Sequence, residues 1–411
     1  MLQVGKLRTR CVNYDYRGIN ASEGVFGIHK FPAMLHYRLV ESLVEEFSVK
    51  DSFVFDPFCG SGVTLNVSIR KGRNAIGTDI NPLALLISEV RSYKNFPVDL
   101  DFYLHDLLKR WNFLEPDVPS VRNLSYWFKN YTVNDLGKLR RFIIELEDLR
   151  IKKFFCVVFS QTVRDVSLTR KNEFKRYRMK CEDIEKFNPN VLEHFITLAQ
   201  DYHQRLLESE DVTGRLELFL HDVRIPMPFD NKVDLVITSP PYGDSKTTVA
   251  YGEFSSFSLE WLSGVIGFVN VNVDKVSLGG KKKIYNESDL FFSPTLKEVI
   301  SLLLNINKKR AMEVWSFYKD LFKSLRNIAQ SLKSGGIACF VVGNRCVKGI
   351  TIPMDIIVKE MFEYLGFSHY QTRVRKILNK RMPLLNSPSN KRGSKSSTMK
   401  EEYVVIMKKN L

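Results

Sequence analysis

Residues 52–62 read SFVFDPFCGSG, a short apolar strand followed by a turn with glycines at 60 and 62. The next residues, VTLNVSIRKG, predict a helix that ends at Gly72, and NAIGTDI predicts a second strand. A strand, a glycine-rich turn, a helix and a second strand form a βαβ unit, which indicates an α/β fold with a parallel sheet. Glycines let such a turn approach a bound ligand closely, but dinucleotide, flavin and methyl-donor sites all use one.

Asp79 stands at the end of the second predicted strand, about 20 residues beyond the glycine turn. A carboxylate at this position accepts hydrogen bonds from both hydroxyls of a ribose, which is a common way to hold an adenosine-containing cofactor. The glycine turn and Asp79 therefore indicate such a cofactor, and together they permit NAD as well as S-adenosylmethionine.

The residues TSPPYGDS, 238–245, follow the apolar strand predicted by VDLVI. Two successive prolines fix the backbone and remove two N–H donors, so the neighbouring carbonyls are left to accept hydrogen bonds. A base rotated out of a duplex needs acceptors for its exocyclic amine and an aromatic face to stack on. We expect Ser239 and the Pro240 carbonyl to be the acceptors and Tyr242 to supply the face. An NAD enzyme has no use for this motif, which favours S-adenosylmethionine.

On these motifs the chain resembles the DNA amino-methyltransferases, which methylate cytosine N4 or adenine N6. DPFCGSG is similar to the family's motif around the methionine part of the cofactor, GTDIN to its ribose motif, and TSPPY to its catalytic motif. HD at 221–222 stands where the family has an acidic residue near the adenine, and GIHKFPAML at 27–35 is similar to the segment that completes the methionine pocket. One departure is Val63-Thr64 in place of the usual Thr-Thr.

The resemblance implies two sets of site residues. The cofactor-binding residues are Phe31, Pro32, Asp56, Phe58, Cys59, Gly60, Ser61, Gly62, Asp79, Ile80 and Asp222. The catalytic residues are Ser239, Pro240, Pro241 and Tyr242. Asp244 is a candidate acceptor for the proton that leaves the amine, although a turn residue that caps the next segment is the favoured interpretation.

The resemblance also implies an α/β, Rossmann-like S-adenosylmethionine-dependent methyltransferase fold. We expect a mostly parallel sheet, a C-terminal antiparallel hairpin and a largely helical inserted domain. Residues 1–95 are expected to form the first part of the methyltransferase domain, residues 96–215 the helical insertion, and residues 216–411 the second part. The order of the motifs resembles the family's alpha arrangement, because the cofactor motifs come first, an insertion follows, and the catalytic motif comes last. In that arrangement the insertion recognises the DNA target. Apolar spacing predicts helices at 33–47, 133–149, 152–167 and 191–208.

Ser239 decides which base the sequence favours. Family members that act on cytosine N4 mostly begin the catalytic tetrapeptide with Ser, whereas those that act on adenine N6 mostly begin it with Asp. We therefore expect a site-specific DNA methyltransferase that methylates cytosine N4, in a restriction-modification system with a cognate endonuclease. Adenine N6 is the nearest alternative, followed by an RNA base amino-methyltransferase and a nucleic-acid-binding module without catalysis.

A formal net charge of +15 favours a polyanionic partner, and double-stranded DNA fits the motifs. Two stretches are candidates for phosphate contacts, LTRKNEFKRYRMK at 168–180 and the loop at 378–400, which the resemblance places between the last two strands. Such compositions are also typical of solvated loops. The residues expected to contact DNA are Lys246, Arg176, Arg178, Lys380, Arg381, Lys391 and Arg392.

The six cysteines include no CxxC pair, so neither a zinc site nor a disulfide framework is indicated, and no metal is expected. The first residues lack the apolar core of a signal peptide, and no apolar run has the length of a membrane span. These features predict a cytoplasmic protein without membrane partners.

Overall fold

The computed structural model describes residues 8–94, 96, 99–171, 173–230, 232–243, 248–267, 272–281, 292–377, 385–386, 396–397 and 399–411. The strands in chain order are β1 (Arg8–Arg10), β2 (Phe53–Asp56), β3 (Asn74–Asp79), β4 (Leu216–Leu220), β5 (Val233–Thr238), β6 (Leu332–Val342), β7 (Arg345–Val347), β8 (Ile350–Ile352), β9 (Phe367–Lys376), β10 (Leu385–Asn386), β11 (Ser396–Ser397) and β12 (Glu401–Lys409). Eight of them form one sheet in the order β1-β9-β12-β6-β5-β2-β3-β4.

The helices of the described residues surround this sheet. They are α1 (Tyr37–Phe47), α2 (Val63–Arg70), α3 (Pro82–Arg91), α4 (Leu100–Arg110), α5 (Leu124–Trp127), α6 (Asn130–Glu145), α7 (Leu149–Val166), α8 (Cys181–Lys186), α9 (Val191–Leu207), α10 (Tyr251–Trp261), α11 (Val273–Val276), α12 (Pro294–Ile306), α13 (Lys308–Ser331) and α14 (Met354–Tyr364). Among the residues with described positions, no helix combines the length and the apolar character needed to cross a membrane.

The direction of the strands matches the expected fold. The neighbouring strands β4, β3, β2, β5 and β6 run parallel. The last strand, β12, lies between β6 and β9 and is antiparallel to both. The predicted α/β fold, with a mostly parallel sheet and a C-terminal antiparallel hairpin of β9 and β12, is therefore confirmed. The short strand β1, parallel to the outer side of β9, was not predicted.

The sequence of β12 explains why helices cover both faces of the sheet. Val404 and Ile406 belong to a hydrophobic cluster that includes side chains of α1, α3, α6, α7, α9 and α10. Val405 and Met407 belong to a second cluster, with side chains of α12, α13 and α14. Successive side chains of a strand point to opposite faces, so a continuous apolar run is what a strand covered on both sides requires.

The predicted helices are present, with one notable shift. The helices expected at 133–149, 152–167 and 191–208 correspond to α6, α7 and α9. The helix expected from residue 33 instead begins at Tyr37. Ala33 has φ of +54°, which is incompatible with a right-handed helix, and His36 is extended and caps α1 by accepting the Arg38 N–H. The residues before Tyr37 are thus free to turn towards the ends of the strands.

Arg140 of α6 joins the helices between residues 96 and 215 to α10. Its guanidinium donates to the carbonyls of Trp261 and Ser263, at 2.9 and 2.6 Å, where α10 ends. A third nitrogen lies 2.6 Å from the Asp117 carboxylate, and the whole side chain is buried. The last carbonyls of a helix have no partner within the helix, so a cation there supplies donors and meets the negative end of the helix dipole.

We predict that Arg140→Met destabilises the protein by about 2–3 kcal/mol, because buried carbonyls lose their donors. Urea denaturation followed by circular dichroism measures the change. The matched control is Arg141→Met, since the more exposed Arg141 approaches Asp117 only to 4.0 Å. This control is expected to change stability by less than about 0.5 kcal/mol. Equal losses in the two variants would show that Arg140 makes no special contribution.

Candidate active site

Neighbouring parallel strands end at one edge of the sheet, and the motif residues follow those ends. These residues are Asp56 at the end of β2, Asp79 at the end of β3, Asp222 after β4, and Ser239 after β5. The register pairs Asp79 with Leu220, the last residue of β4, so the strand ends lie side by side. Open α/β sheets bind their ligands in the crevice outside the carboxyl ends of the strands. This edge is therefore the candidate site.

The glycine turn between β2 and α2 is held against the end of β3. Gly62 has φ of +78°, and a Cβ atom there would lie 1.9 Å from the Ser88 hydroxyl oxygen, so only glycine fits. The N–H of Gly60 donates to Asp79 Oδ2 at 2.9 Å, and the N–H of Asn81 donates to Oδ1 at 2.8 Å. Two backbone amides thus orient the Asp79 carboxylate in the cleft wall, where burial raises its pKa to about 6.

Asp56 connects the glycine turn to the strand that leads into the catalytic motif. Its carboxylate accepts a hydrogen bond of 2.6 Å from the Thr238 hydroxyl and one of 3.1 Å from the Phe58 N–H. Burial raises the pKa of Asp56 to about 6, against the opposing effect of these donors. Because Thr238 directly precedes Ser239, the bond sets the position of the motif relative to the turn.

Arg91, the last residue of α3, is buried and holds the opposite wall of the cleft. Its guanidinium donates to carbonyls of the 26–29 segment and to the carbonyl and hydroxyl of Ser61, at distances between 2.7 and 3.1 Å. Burial lowers the pKa of Arg91 to about 9. The segment that leads to Phe31 and Pro32 is thereby fixed against the glycine turn. The sequence motifs gave no signal for Arg91, because its partners are mostly backbone carbonyls.

Phe31 and Pro32 line the cleft beside α10. The Phe31 ring centroid lies 5.6 Å from that of Phe254 and 6.3 Å from that of Tyr251, which lines the cleft as well. Asp274 accepts backbone hydrogen bonds from the first turn of α10 and so helps to fix Tyr251. Tyr251 and Asp274 belong to none of the recognised motifs, and no sequence pattern distinguished them.

Asp222 lies in the cleft wall, but its carboxylate is already engaged. Arg224 donates from Nε to Oδ1 at 2.9 Å and from Nη2 to Oδ2 at 2.6 Å. Burial acts to raise the pKa of Asp222, and the hydrogen bonds from Arg224 outweigh it, so the net shift is downward. Next to it, the buried Nε2 of His221 has no hydrogen-bond partner within the part of the chain that the structure describes. This end of the cleft thus offers an unused ring nitrogen beside an ionised carboxylate.

The catalytic motif reaches the cleft through Ser239 and Pro241, while Pro240 is buried and Tyr242 is half-buried. The Ser239 hydroxyl donates to the Tyr242 hydroxyl at 3.2 Å, which in turn donates to Glu402 Oε1 at 3.2 Å. Burial and the Glu402 carboxylate raise the pKa of Tyr242 well above its usual value, so this phenol stays protonated. Glu402 lies in β12, and the sequence analysis missed it.

One cleft therefore contains residues from every motif. It encloses about 990 Å³ of space, part of which is open to solvent. The predicted site residues that line it are Phe31, Pro32, Asp56, Phe58, Cys59, Gly60, Ser61, Asp79, Ile80, Asp222, Ser239 and Pro241. Gly62, Pro240 and Tyr242 adjoin these residues in the chain without lining the cleft themselves.

In the basic segment, residues 168–180, the described residues on either side of position 172 pair as a short antiparallel ribbon, with Thr169 opposite Arg178. The Arg170 N–H donates to the Tyr177 carbonyl at 2.7 Å. The guanidinium of Arg176 lies 4.7 Å from the ring centroid of Phe257 in α10, and that of Arg178 lies 4.0 Å from the Tyr126 ring. Both predicted DNA-contacting arginines thus stack on aromatic rings, which leaves the edges of a guanidinium to bind other groups.

Five of the residues expected to contact DNA, and one candidate proton acceptor, lie outside the described residues. The expected contacts are Lys246, Lys380, Arg381, Lys391 and Arg392, and the acceptor is Asp244.

Comparison with known proteins identifies the family. The family of N6/N4 methyltransferases, described as DNA methylase, matches residues 11–89. The type II methyltransferase M.MvaI of Kocuria varians is 36% identical over 427 aligned residues, which cover 96% of this chain and 94% of that protein. The type II methyltransferase M.BsoBI of Geobacillus stearothermophilus is 21% identical, over 85% of this chain and 79% of that protein.

Among solved structures, the rRNA methyltransferase aviRa of Streptomyces viridochromogenes aligns with a TM-score of 0.32 and 13% identity, over 95% of this chain and 93% of its own. That likeness is too low to bear on function. The identity to M.MvaI extends over nearly the whole of both chains, and the DNA methylase match includes the glycine turn and Asp79. The chain therefore belongs to the DNA amino-methyltransferases, which use S-adenosylmethionine as methyl donor.

Proposed function

We propose that this protein is a site-specific DNA methyltransferase that transfers a methyl group from S-adenosylmethionine to the N4 amino group of cytosine. The observation that carries the proposal is the meeting of Ser239 with the glycine turn and Asp79 in one cleft. The choice of cytosine rests on the serine that begins the catalytic tetrapeptide. The two relatives named as type II methyltransferases support a place in a restriction-modification system. A cognate endonuclease as partner is a further part of the proposal.

The donors and acceptors of the cleft fit S-adenosylmethionine. Asp79 presents a carboxylate for the two ribose hydroxyls, with its orientation already fixed by backbone amides. Phe31 and Pro32 offer an apolar wall for the methionine part. At the adenine end, Nε2 of His221 has no hydrogen-bond partner among the described residues and is available to the cofactor, next to the ionised carboxylate of Asp222. These residues would hold the cofactor between the glycine turn and α10.

The reaction needs a better nucleophile than a free exocyclic amine, whose lone pair is delocalised into the ring. S-adenosylmethionine supplies an electrophilic methyl group when it is bound. The Ser239 hydroxyl oxygen and the Pro240 carbonyl would accept the two amine hydrogens, which orients the nitrogen and favours a tetrahedral geometry. Ser239 is too weak a base to deprotonate the amine first, so the proton leaves to water or a nearby acceptor after methyl transfer. The rigid Pro240-Pro241 pair keeps the carbonyl in place.

We further propose that the segment 96–215 recognises the DNA target and that the basic segment contacts the phosphates beside the flipped base. The backbone N–H of Arg176 donates to Glu253 Oε1 at 2.7 Å, and the ring centroids of Phe174 and Phe254 lie 6.2 Å apart. Glu253 and Phe254 belong to the first turn of α10. The same helix begins with Tyr251 in the cleft wall. A duplex with one base in the cleft therefore passes close to the exposed side of this ribbon.

We predict that Tyr242→Ala and Pro240→Ala abolish methyl incorporation into DNA, because the first removes the proposed stacking ring and the second removes the ring that keeps the Pro240 carbonyl in place. Transfer of tritiated methyl groups measures activity, and calorimetry should show that cofactor binding is largely retained. Tyr370→Ala, at an exposed tyrosine in β9, is the matched control and should stay active. Methyl-sensitive sequencing of DNA from a host that expresses the gene identifies the base. Parental activity in either motif variant, or methylation of adenine, would overturn the corresponding part of the proposal.

The cofactor affinity is expected to depend on the ionisation of Asp79. Its pKa is raised to about 6, and only the ionised carboxylate accepts both ribose hydroxyls, so affinity should fall as the pH drops below about 6. Asp79→Asn should weaken S-adenosylmethionine binding at neutral pH by roughly tenfold or more and remove this pH dependence. Asp135→Asn in α6 is the control and should leave the affinity unchanged, because burial also raises the pKa of Asp135 but this carboxylate is not part of the cleft wall. Isothermal titration at several pH values distinguishes the two, and a pH dependence that survives Asp79→Asn counts against the assignment.

The DNA affinity of the basic segment is expected to be electrostatic. Each of Arg176→Gln and Arg178→Gln should reduce the slope of log K against log salt concentration by about one, as for the loss of one phosphate contact. Lys333→Gln is the control, since Lys333 is bonded to Asp234 near the amino ends of β5 and β6, at the opposite edge of the sheet from the cleft. Fluorescence anisotropy with a duplex oligonucleotide gives the slopes. Unchanged slopes in both arginine variants would place the phosphate contacts elsewhere.

A further inference from the structure

A chain of hydrogen bonds leads from the cleft to the last strand of the sheet. The Ser239 hydroxyl lies 3.2 Å from the Tyr242 hydroxyl, which lies 3.2 Å from Glu402 Oε1. The second carboxylate oxygen of Glu402 lies 3.4 Å from Nε of the buried Arg375, its register partner in β9. None of the recognised motifs includes Glu402 or Arg375.

The Glu402 carboxylate fixes which group donates and which accepts in each hydrogen bond of this series. An ionised carboxylate only accepts hydrogen bonds, so Tyr242 must donate its proton to Glu402. The Tyr242 oxygen then accepts from Ser239, whose single proton is committed to that bond. A serine hydroxyl can otherwise donate or accept. With its proton directed at Tyr242, Ser239 has only lone pairs to offer to the cleft.

We propose that Glu402 is a positioning residue that makes Ser239 an acceptor for the exocyclic amine. This inference rests on the proposed function, in which Ser239 accepts one of the two amine hydrogens. A carboxylate at position 239 would be an acceptor without help, whereas a serine requires a partner that takes its proton. Glu402 meets that requirement through Tyr242, without contact with the substrate.

The packing around Tyr242 keeps its hydroxyl in position between Ser239 and Glu402. A Cβ atom at Gly343, just after β6, would lie 2.9 Å from Tyr242 Cδ2, so the ring lies directly against the backbone at this point. The absence of a side chain at 343 lets the Tyr242 hydroxyl reach β12, the next strand in the sheet. Arg375 then anchors the far oxygen of Glu402. The three hydroxyl and carboxylate groups are therefore held by the backbone and by a buried cation.

The test compares substitutions that break the chain with one that preserves it. Glu402→Met removes the acceptor and should lower kcat by roughly ten- to a hundredfold, the range for loss of a hydrogen bond to a charged group. Glu402→Gln keeps an oxygen that accepts from Tyr242, so kcat should stay within about fivefold of the parent. KM for DNA and the Kd for S-adenosylmethionine should change little in either variant. Glu401→Met is the control and should keep the parental kcat, because successive residues of a strand point to opposite faces and the Glu401 side chain therefore points away from Tyr242.

Tyr242→Phe provides a second route, since Glu402→Met also deprives Arg375 of its carboxylate. It keeps the aromatic ring and the Glu402–Arg375 pair but removes the linking hydroxyl, and kcat should fall as in Glu402→Met. The double variant Tyr242→Phe/Glu402→Met should be no slower than either single variant, because each substitution alone already breaks the hydrogen-bond chain. In a Ser239→Ala background, Glu402→Met should have no further effect on the residual rate.

The outcomes separate this inference from the proposed function. If Ser239→Ala is as active as the parent, the role of Ser239 as an acceptor is wrong, and the proposed function loses its central residue. If Ser239→Ala is impaired while Glu402→Met and Tyr242→Phe keep parental kcat, the proposed function stands and the role of Glu402 is refuted. Equal losses in Glu402→Met and Glu402→Gln, or additive losses in the double variant, also refute it.

Discussion

The guanidinium of Arg91 is the contact on which the geometry of the cleft depends most. A buried cation loses its hydration, and in this protein the loss is offset by carbonyls of the 26–29 segment and by Ser61. These partners belong to two stretches that form facing walls, one leading to Phe31 and the other to the glycine turn. A single side chain at the end of α3 thus sets the spacing between the walls. Backbone carbonyls are uncharged, so they hold the cation without pairing it with a second buried ion.

Several parts of the site could be predicted because their chemistry is local in the sequence. Gly62, Asp79 and Ser239 each stand at the end of a strand or within a few residues after it, and parallel strands bring such positions to one edge. The resemblance to a known family then assigned a role to each. Other parts depend on contacts between distant segments. Glu402 becomes relevant only because β12 is inserted antiparallel between β6 and β9, a register that no local pattern reveals.

The start of α1 shows how local rules fail beside a functional site. The apolar spacing after Pro32 is helical, but Ala33 adopts a left-handed conformation and the helix begins only at Tyr37. The contacts of the cleft wall and the hydrogen bonds from Arg91 determine the backbone conformation at 29–35, and they outweigh its helix propensity. Asp222 shows the opposite case, since its position was predicted but its pairing with Arg224 was not. Side-chain partners at this range depend on packing that the sequence does not display.

The helices α4, α6, α7 and α9 share one hydrophobic cluster with α1, α3 and α10. Arg140 adds polar contacts to the end of α10, while Arg176 and Phe174 contact its beginning. Both ends of the helix that carries Tyr251 are thus bound to this part of the chain. α10 therefore connects these helices to the cleft wall.

The short strand β1 has a consequence for how copies of the protein meet. Without it, β9 would expose a row of unpaired backbone N–H and C=O groups along the rim of an eight-stranded sheet, and such a rim is a template for pairing with another molecule. β1 covers residues 372–374 of that rim, and Arg8 is anchored to Asp355. Its three residues include two arginines, which disfavour the addition of a further strand. Residues 372–374 of β9 are thereby closed to pairing with a strand of a second molecule.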